Sequence, residues 1–160
     1  MKKLNAMLIL ILCILLSSGT AQGAVDTKTT VKAGPGVGIP YGALGGNIEI
    51  SPSDYFSLLA GTGVTEAGFT WVVGARIYFT DRNQKIRPHL GYYRGTVAVE
   101  TIRSYYVDDY ENIDGTAAGF GIAFNINKHV SLDGEIIYIL SNDPDLTLDS
   151  PFKIAFGVHF

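Results

Sequence analysis

Four polar residues near the C-terminus have side chains of the kinds that hydrolyse ester and amide bonds. His129, Ser131, Asp133 and Glu135 alternate along the chain, so a strand would place all four on one face. A serine nucleophile, a histidine base and an orienting carboxylate are the parts of a hydrolytic triad. Same-face neighbours on a strand lie about 6.6–6.8 Å apart, however, which is too far for a Ser–His hydrogen bond without a bulge. We therefore name His129, Ser131 and Glu135 as catalytic candidates but expect that the chain is not an enzyme.

Acidic side chains form a second group that could bind a ligand, because carboxylate oxygens can hold Ca²⁺ or Mg²⁺. Two stretches, 103–115 and 141–150, contain one base and seven of the fifteen acids: Asp108, Asp109, Glu111, Asp114, Asp143, Asp145 and Asp149. A bound divalent ion could bridge to an anionic partner, and the neighbouring tyrosines could contact a protein or glycan. No spacing here matches a known Ca²⁺ loop, so we favour solvated loops and assign no metal or cofactor.

The candidate residues lie on predicted β-strands or in the loops between them, and the last nine residues show the strand pattern most clearly. One strand face would hold the apolar side chains of Phe152, Ile154, Phe156, Val158 and Phe160, and the other Lys153, Ala155, Gly157 and His159. A soluble sandwich could produce the alternation. A C-terminal strand that closes a membrane barrel would produce both the alternation and the terminal aromatic residue.

The rest of the chain repeats this pattern and predicts eight antiparallel strands, at 29–38, 42–50, 55–64, 69–79, 87–102, 116–126, 130–140 and 152–160. Bacterial single-chain barrels have an even number of strands, with short periplasmic turns and longer extracellular loops. With both ends in the periplasm, the extracellular loops are 39–41, 65–68, 103–115 and 141–150. The periplasmic turns are then 51–54, 80–86 and 127–129. The prediction is an all-β, eight-stranded, up-and-down transmembrane barrel.

Two strands have irregular patterns that predict bulges. Pro35 cannot donate to a ladder, so we expect a bulge near Gly34–Gly36. In 87–102 the apolar phase changes, and a bulge at Tyr92–Tyr93 would turn Arg94 and Glu100 inward. Aromatic residues would face the membrane. Trp71, Tyr93 and Tyr138 would lie toward its outer half, and girdles near the two interfaces would contain Tyr55, Phe56, Tyr78, Phe79, Phe152 or Phe160.

The lumen of such a barrel would be charged. The inward positions hold four bases, four acids and one histidine: Lys32, Glu49, Arg76, Arg94, Glu100, Asp133, Glu135, Lys153 and His159. Eight strands enclose a space that side chains can fill, and buried charges must pair. We expect an ion-pair network that plugs the lumen, with a small gated channel as the alternative.

The N-terminus predicts export. Lys2 and Lys3 precede the apolar run 4–16, and the small residues that follow suggest cleavage after Gly23. Residues 1–23 would then be a signal peptide and 24–160 a single barrel domain of 137 residues, without a cysteine because Cys13 leaves with the signal. Loss of two lysines leaves ten bases against fifteen acids, which argues against a nucleic-acid partner.

The mature chain resembles the small outer-membrane barrels related to the OmpA transmembrane domain and to OmpX. The resemblance rests on the segments 34–38, 45–50, 74–79 and 87–91 and on the terminal Phe160. It implies a location in the outer membrane of a Gram-negative bacterium, in contact with lipid and lipopolysaccharide. It also implies recognition by the barrel-assembly machinery through Phe160, with Phe156 and Val158 contributing. The peptidoglycan-binding domain of full-length OmpA-type proteins is not carried over.

Two alternatives concern function. The His-x-Ser pair resembles that of the lipid A deacylase barrels, but His129 would lie at the periplasmic end, whereas those enzymes act on the outer leaflet. A soluble periplasmic ligand-binding barrel would use the same alternation to bury one large apolar face. The favoured function is a structural or surface-interaction role, with any extracellular partner contacting loops 103–115 and 141–150.

Overall fold

The predicted architecture is confirmed. The computed structural model describes residues 29–103, 108–140 and 150–160, without the side chains of 100–103 and 108–109. Its strands are β1 (Thr30–Gly38), β2 (Ala43–Ser51), β3 (Phe56–Thr65), β4 (Gly68–Tyr78), β5 (Ile86–Arg103), β6 (Asp108–Asn125), β7 (Ser131–Ile139) and β8 (Phe152–His159). They pair in chain order as a closed barrel with antiparallel neighbours. No helix among the described residues is long and apolar enough to cross a membrane. The expected signal peptide lies outside the described residues.

The barrel has two unlike ends. We call the end where β1 begins and β8 finishes the terminal end, and the opposite one the hairpin end. At the hairpin end β5 and β6 pair as far as Arg103 and Asp108, beyond the other strands. The prediction of a loop over 103–115 is therefore wrong for 108–115. Turn-forming acids lower strand propensity locally, but cross-strand pairing decides the outcome.

Closure of the barrel depends on a short contact between β8 and β1. Gly36 pairs with Gly157 and Val37 with Phe156, and the backbone N–H groups of Ala33 and Phe160 each donate to the other's carbonyl. The predicted pairing of the last strand with Gly34–Gly38 is confirmed. The bulge expected near Pro35 is absent, because β1 keeps one register with β2 from end to end. The β1–β8 contacts on both sides of Pro35 also share one register, and Pro35 itself is not among the paired residues, so its missing N–H is not needed there.

The phase change in β5 occurs later than the sequence suggests. The register shifts between Thr96 and Ala98, next to Gly95, whose φ of 146° is one that L side chains rarely adopt. Tyr93 is consequently fully buried in the lumen and Arg94 is exposed on the outside. The predicted bulge at Tyr92–Tyr93 is wrong, and with it the inward position of Arg94 and the membrane-facing position of Tyr93.

A 3₁₀ turn, Ile39–Tyr41, fills part of the lumen at the hairpin end. All three of its residues are buried, although the sequence suggested a surface turn. Ile39 joins an apolar cluster with Leu59, Val97, Ile137, Ile139 and other buried residues. The Tyr41 ring lies against Gly36 and Gly157, where an added methyl group would overlap it. Glycine on the inner face therefore makes room for this plug.

Candidate functional site

Arg76 is the centre of a buried ion-pair cluster. Its side chain, on β4, is fully buried. Nη1 lies 3.2 Å from Glu49 Oε2 on β2, and Nη2 lies 2.7 Å from Asp133 Oδ2 and 2.9 Å from Glu135 Oε2 on β7. One guanidinium thus holds three carboxylates from two other parts of the barrel wall. Period-2 alternation positions them, because each occupies an inward site on its strand.

Three tyrosine hydroxyls complete the cluster, one for each carboxylate. Tyr78 donates to Glu49 at 2.8 Å, Tyr93 to Glu135 at 2.7 Å, and Tyr41 to Asp133 at 3.1 Å. The Tyr93 oxygen also accepts a hydrogen bond from Arg76 Nε at 2.9 Å. Hydrogen bonds to charged groups are stronger than neutral ones, so these contacts stabilise the carboxylates as anions. Tyr78 was expected at the membrane interface, but its ring is inside the lumen.

Two histidines lie beside the cluster. His89 Nε2 is 3.5 Å from Glu135 Oε2 and 3.7 Å from Asp133 Oδ1. His159 Nε2 is 2.7 Å from Asn47 Oδ1, and Asn47 Nδ2 donates to the Pro40 carbonyl at 3.1 Å. The second histidine therefore links the closing strand to the 3₁₀ plug through β2.

His89, Asp133 and Glu135 are the described residues whose donor atoms come closest to a metal-ligand arrangement. Their ligand atoms all lie within 4.8 Å of one another. Arg76 Nη2, however, contacts both carboxylates at hydrogen-bond distance. The guanidinium already supplies the positive charge that a metal ion would bring, so the geometry is that of an ion-pair cluster.

The structure places the nine predicted lumen residues in different surroundings. Glu49, Arg76, Asp133 and Glu135 meet at the cluster, and His159 is buried beside it. Lys32 lies nearer the terminal end, where its Nζ donates to Ser131 Oγ at 3.2 Å. Lys153 lines a separate cavity at the hairpin end. Arg94 faces outward, and the side chain of Glu100 lies outside the described part.

The catalytic candidates do not assemble. His129 is exposed in the turn before β7, where its backbone N–H donates to Asn127 Oδ1 at 2.7 Å. β7 begins only at Ser131, so the histidine does not share its inward face. The Ser131 hydroxyl is bonded to Lys32, and Glu135 is occupied by Arg76 and Tyr93. The placement of His129 on one face with Ser131 was therefore wrong.

The acidic residues near the hairpin end are spread along a strand. Glu111 and Asp114 are exposed on β6, and Asp114 accepts a hydrogen bond from Thr96 at 3.0 Å. Asp108 and Asp109 belong to the same strand, but their side chains lie outside the description. Asp143, Asp145 and Asp149 also lie outside the described residues, so the expected cation or partner site stays a prediction.

Sequence reasoning missed His89 and the role of the buried tyrosines. The signal for His89 was present, since outward Leu90 and Tyr92 imply by period 2 that residue 89 points inward. Tyr78 shares the inward phase of Arg76 for the same reason. Tyr41 carried no such signal, because it belongs to a turn that only the closed barrel folds inward.

Comparison with solved structures supports the architecture. The chain is similar to the N-terminal β-barrel domain of OprF from Pseudomonas aeruginosa, with a TM-score of 0.55 and 13% sequence identity over 83% of this chain and 98% of that domain. At this identity the likeness shows the fold alone. No protein-family model matches the sequence, and no curated protein does. The predicted resemblance to the small OmpA-type barrels is thus confirmed at the level of fold.

Proposed function

We propose that this chain is a bacterial outer-membrane barrel with a structural or surface-interaction role, whose lumen is closed to ions. The single observation that carries the closed lumen is the Arg76 cluster. It joins β2, β4 and β7 directly and β5 through Tyr93, so side chains from around the wall meet inside the barrel.

The outer surface supports a membrane environment. Large apolar side chains are exposed on every strand, among them Val31 at 62%, Ile136 at 58% and Phe156 at 63%. Contiguous apolar patches of this kind are rare on soluble monomers, which seldom expose more than a few hundred Å². In a bilayer the same belt contacts lipid, while the polar lumen is hidden.

The ends of the belt support contact with both lipid interfaces. Tyr55 and Phe79 are exposed near the terminal end, and Phe69 and Trp71 near the hairpin end. Tyr138 and Phe152 pack edge to face there, with ring centroids 5.2 Å apart. Aromatic residues at both ends are typical of transmembrane barrels. Outer-membrane lipid and lipopolysaccharide are the partners we assign to this surface.

Opening the lumen would require Arg76 to leave its partners. Removing one member of a buried ion pair costs about 3–5 kcal/mol, so the closed arrangement dominates at equilibrium. The apolar cluster around Ile39 fills the lumen toward the hairpin end and adds a second obstruction to the Arg76 cluster. A water-filled path for ions would have to cross both.

Electrical recording tests the proposal. We expect purified protein, inserted into planar phosphatidylcholine bilayers, to show no steady single-channel conductance in concentrated salt. Insertion is checked separately by co-flotation of the protein with liposomes. Stable conductance from inserted wild-type protein would contradict the closed lumen. Recovery of the cellular protein in the detergent-free soluble fraction would contradict the membrane location.

A further inference from the structure

The terminal end of the barrel opens into a cavity of about 520 Å³. Its lining includes five cationic side chains, Lys32, Arg82, Lys85, Arg87 and Lys128, together with His159. Glu49 is the acid among the described lining residues, and it is already bound to Arg76 and Tyr78. We call this space the basic mouth, because its positive charge exceeds its negative charge.

Arg87 is a buried cation in the wall of the mouth. It is 5% exposed, and its guanidinium stacks 3.8 Å above the Tyr78 ring. Its Nη2 donates to the Asp54 backbone carbonyl at 2.6 Å, whereas its Nε is buried with no hydrogen-bond partner in the described structure. No carboxylate of a described residue pairs with it. Glu49 and Asp54 attract it at longer range, but their carboxylates are bound to Arg76 and Arg82. The Arg87 guanidinium therefore has no carboxylate of its own in the described part of the chain, and a bound oxyanion would supply one.

Lys32, on the other side of the mouth, is a second cation without a carboxylate partner at ion-pair distance among the described residues. Its ammonium group is half-buried and donates to the Ser131 hydroxyl, a neutral partner. Thr30 and Ser51 add further hydroxyl groups to the same lining. Guanidinium, ammonium and hydroxyl donors around one space are the groups that bind oxyanions, above all phosphate.

The turn over 79–85 is fastened so that the mouth is already formed. Asn125 Nδ2 donates to the carbonyls of Arg82 at 3.1 Å and Gln84 at 2.7 Å. Arg82 forms an ion pair with Asp54 and donates to Thr30 Oγ1 at 3.2 Å, which ties the turn to β1. A site built in advance loses less entropy when a ligand binds.

We propose that the basic mouth is a binding site for a phosphate group, carried by a small phosphorylated molecule or by a phospholipid headgroup at the adjacent membrane interface. The phosphate oxygens accept from the Arg87 guanidinium and from Lys32 Nζ. Lys85 and Lys128, which are exposed, add attraction from the rim. The volume is in the range of small-molecule pockets, about 300–1,000 Å³, and leaves room for the organic part of the ligand. The site adjoins the Arg76 cluster, because Glu49 and Tyr78 line the mouth and also belong to the cluster, but phosphate binding does not require that the lumen be closed to ions.

Calorimetric titration tests the site. The probes are inorganic phosphate and glycerol 3-phosphate, added to the whole protein in an uncharged detergent at low salt. We expect saturable binding that Arg87→Gln and Lys32→Gln each weaken roughly tenfold or more, as loss of a charge-assisted hydrogen bond would. Lys153→Gln is the matched control, because it removes the same charge at the hairpin end. It should leave binding unchanged.

Further variants keep the test decisive if Arg87→Gln does not fold. Lys85→Gln and Lys128→Gln change exposed turn residues, and each should weaken binding severalfold, with a stronger effect at low salt. Nanodiscs distinguish the sources. Loss of added-phosphate binding on transfer from the uncharged detergent to phosphatidylglycerol nanodiscs, whose headgroups carry a competing phosphate, identifies a lipid headgroup as the occupant, and unchanged binding identifies a soluble ligand. Absence of saturable phosphate binding, or equal weakening by Lys153→Gln, would overturn the proposal.

Discussion

Replacing Arg76 with methionine should be the most damaging single change in the lumen. Methionine is of comparable length and uncharged, so the substitution removes the cation without opening a large cavity. Glu49, Asp133 and Glu135 then face one another with only tyrosine and histidine neighbours. Removing one partner of a buried ion pair costs about 3–5 kcal/mol. With three carboxylates left behind, we expect the free energy of unfolding to fall by at least that amount.

The matched control is Arg94→Met, which removes the same group from the outside of β5. Because it removes a charge from the lipid-facing surface, it should leave stability unchanged or raise it. Glu49→Gln is a second comparison. It should cost less than Arg76→Met, because Arg76 keeps two carboxylates and the cluster, in which acids outnumber the guanidinium three to one, loses one negative charge.

Guanidinium titration in lipid vesicles measures these differences, with Trp71 as the reporter. It is the single tryptophan of the sequence and is exposed on the outer face of β4. Its emission should shift to the red as the barrel unfolds and the indole leaves the lipid. If Arg76→Met and Arg94→Met were equally stable, the cluster would not contribute to stability and the account of a plugged lumen would be refuted.

The remaining predictions concern the plug, the closing strand and the serine. Gly157→Ala should destabilise the barrel by about 1–3 kcal/mol in the same titration, because its methyl group overlaps the Tyr41 ring. The control Gly134→Ala, whose methyl would meet Phe156 at 3.4 Å, should be close to neutral. Equal effects of the two substitutions would exclude the plug as the cause. Deleting Phe160 removes both backbone hydrogen bonds to Ala33 and should impair outer-membrane assembly, measured by fractionation, without impairing export. Phe120→Leu on the outside of β6 is the control. Normal assembly of the truncated chain would contradict the assigned role of the last strand. Ser131→Ala should leave lipid A acylation unchanged in mass spectra of the extracted lipid, and a change would revive the enzymatic alternative.

Much of the architecture followed from local pattern. Eight alternating segments separated by turn residues predicted the strand number and order. The same period placed Glu49, Arg76, Asp133 and Glu135 inside. The prediction failed where the period is interrupted. In β5 the apolar residues follow two different phases, but nothing local indicated that the bulge falls at Val97. Tyr93 was therefore predicted to face outward and Arg94 inward, which is the reverse of their positions.

Cross-strand pairing explains the other failure. Residues 108–115 are acidic and rich in turn formers, which suggested a loop. They form strand because each pairs with a residue of β5, and because Asn112 Nδ2 donates to the Phe69 carbonyl at 3.0 Å on the neighbouring hairpin. Such support comes from distant parts of the chain and has no local sequence signal.

Local pattern was enough to predict an eight-stranded barrel with apolar side chains outside and charges inside. Alternation is a property of adjacent residues, and adjacency is all that a sequence displays. Which charges meet depends on contacts between strands that are far apart in the chain. Arg76 and Glu135 are 59 residues apart, and strand tilt and register bring them to 2.9 Å. The inward 3₁₀ plug and the unpaired Arg87 in the basic mouth arise in the same way, because both exist only once the barrel has closed.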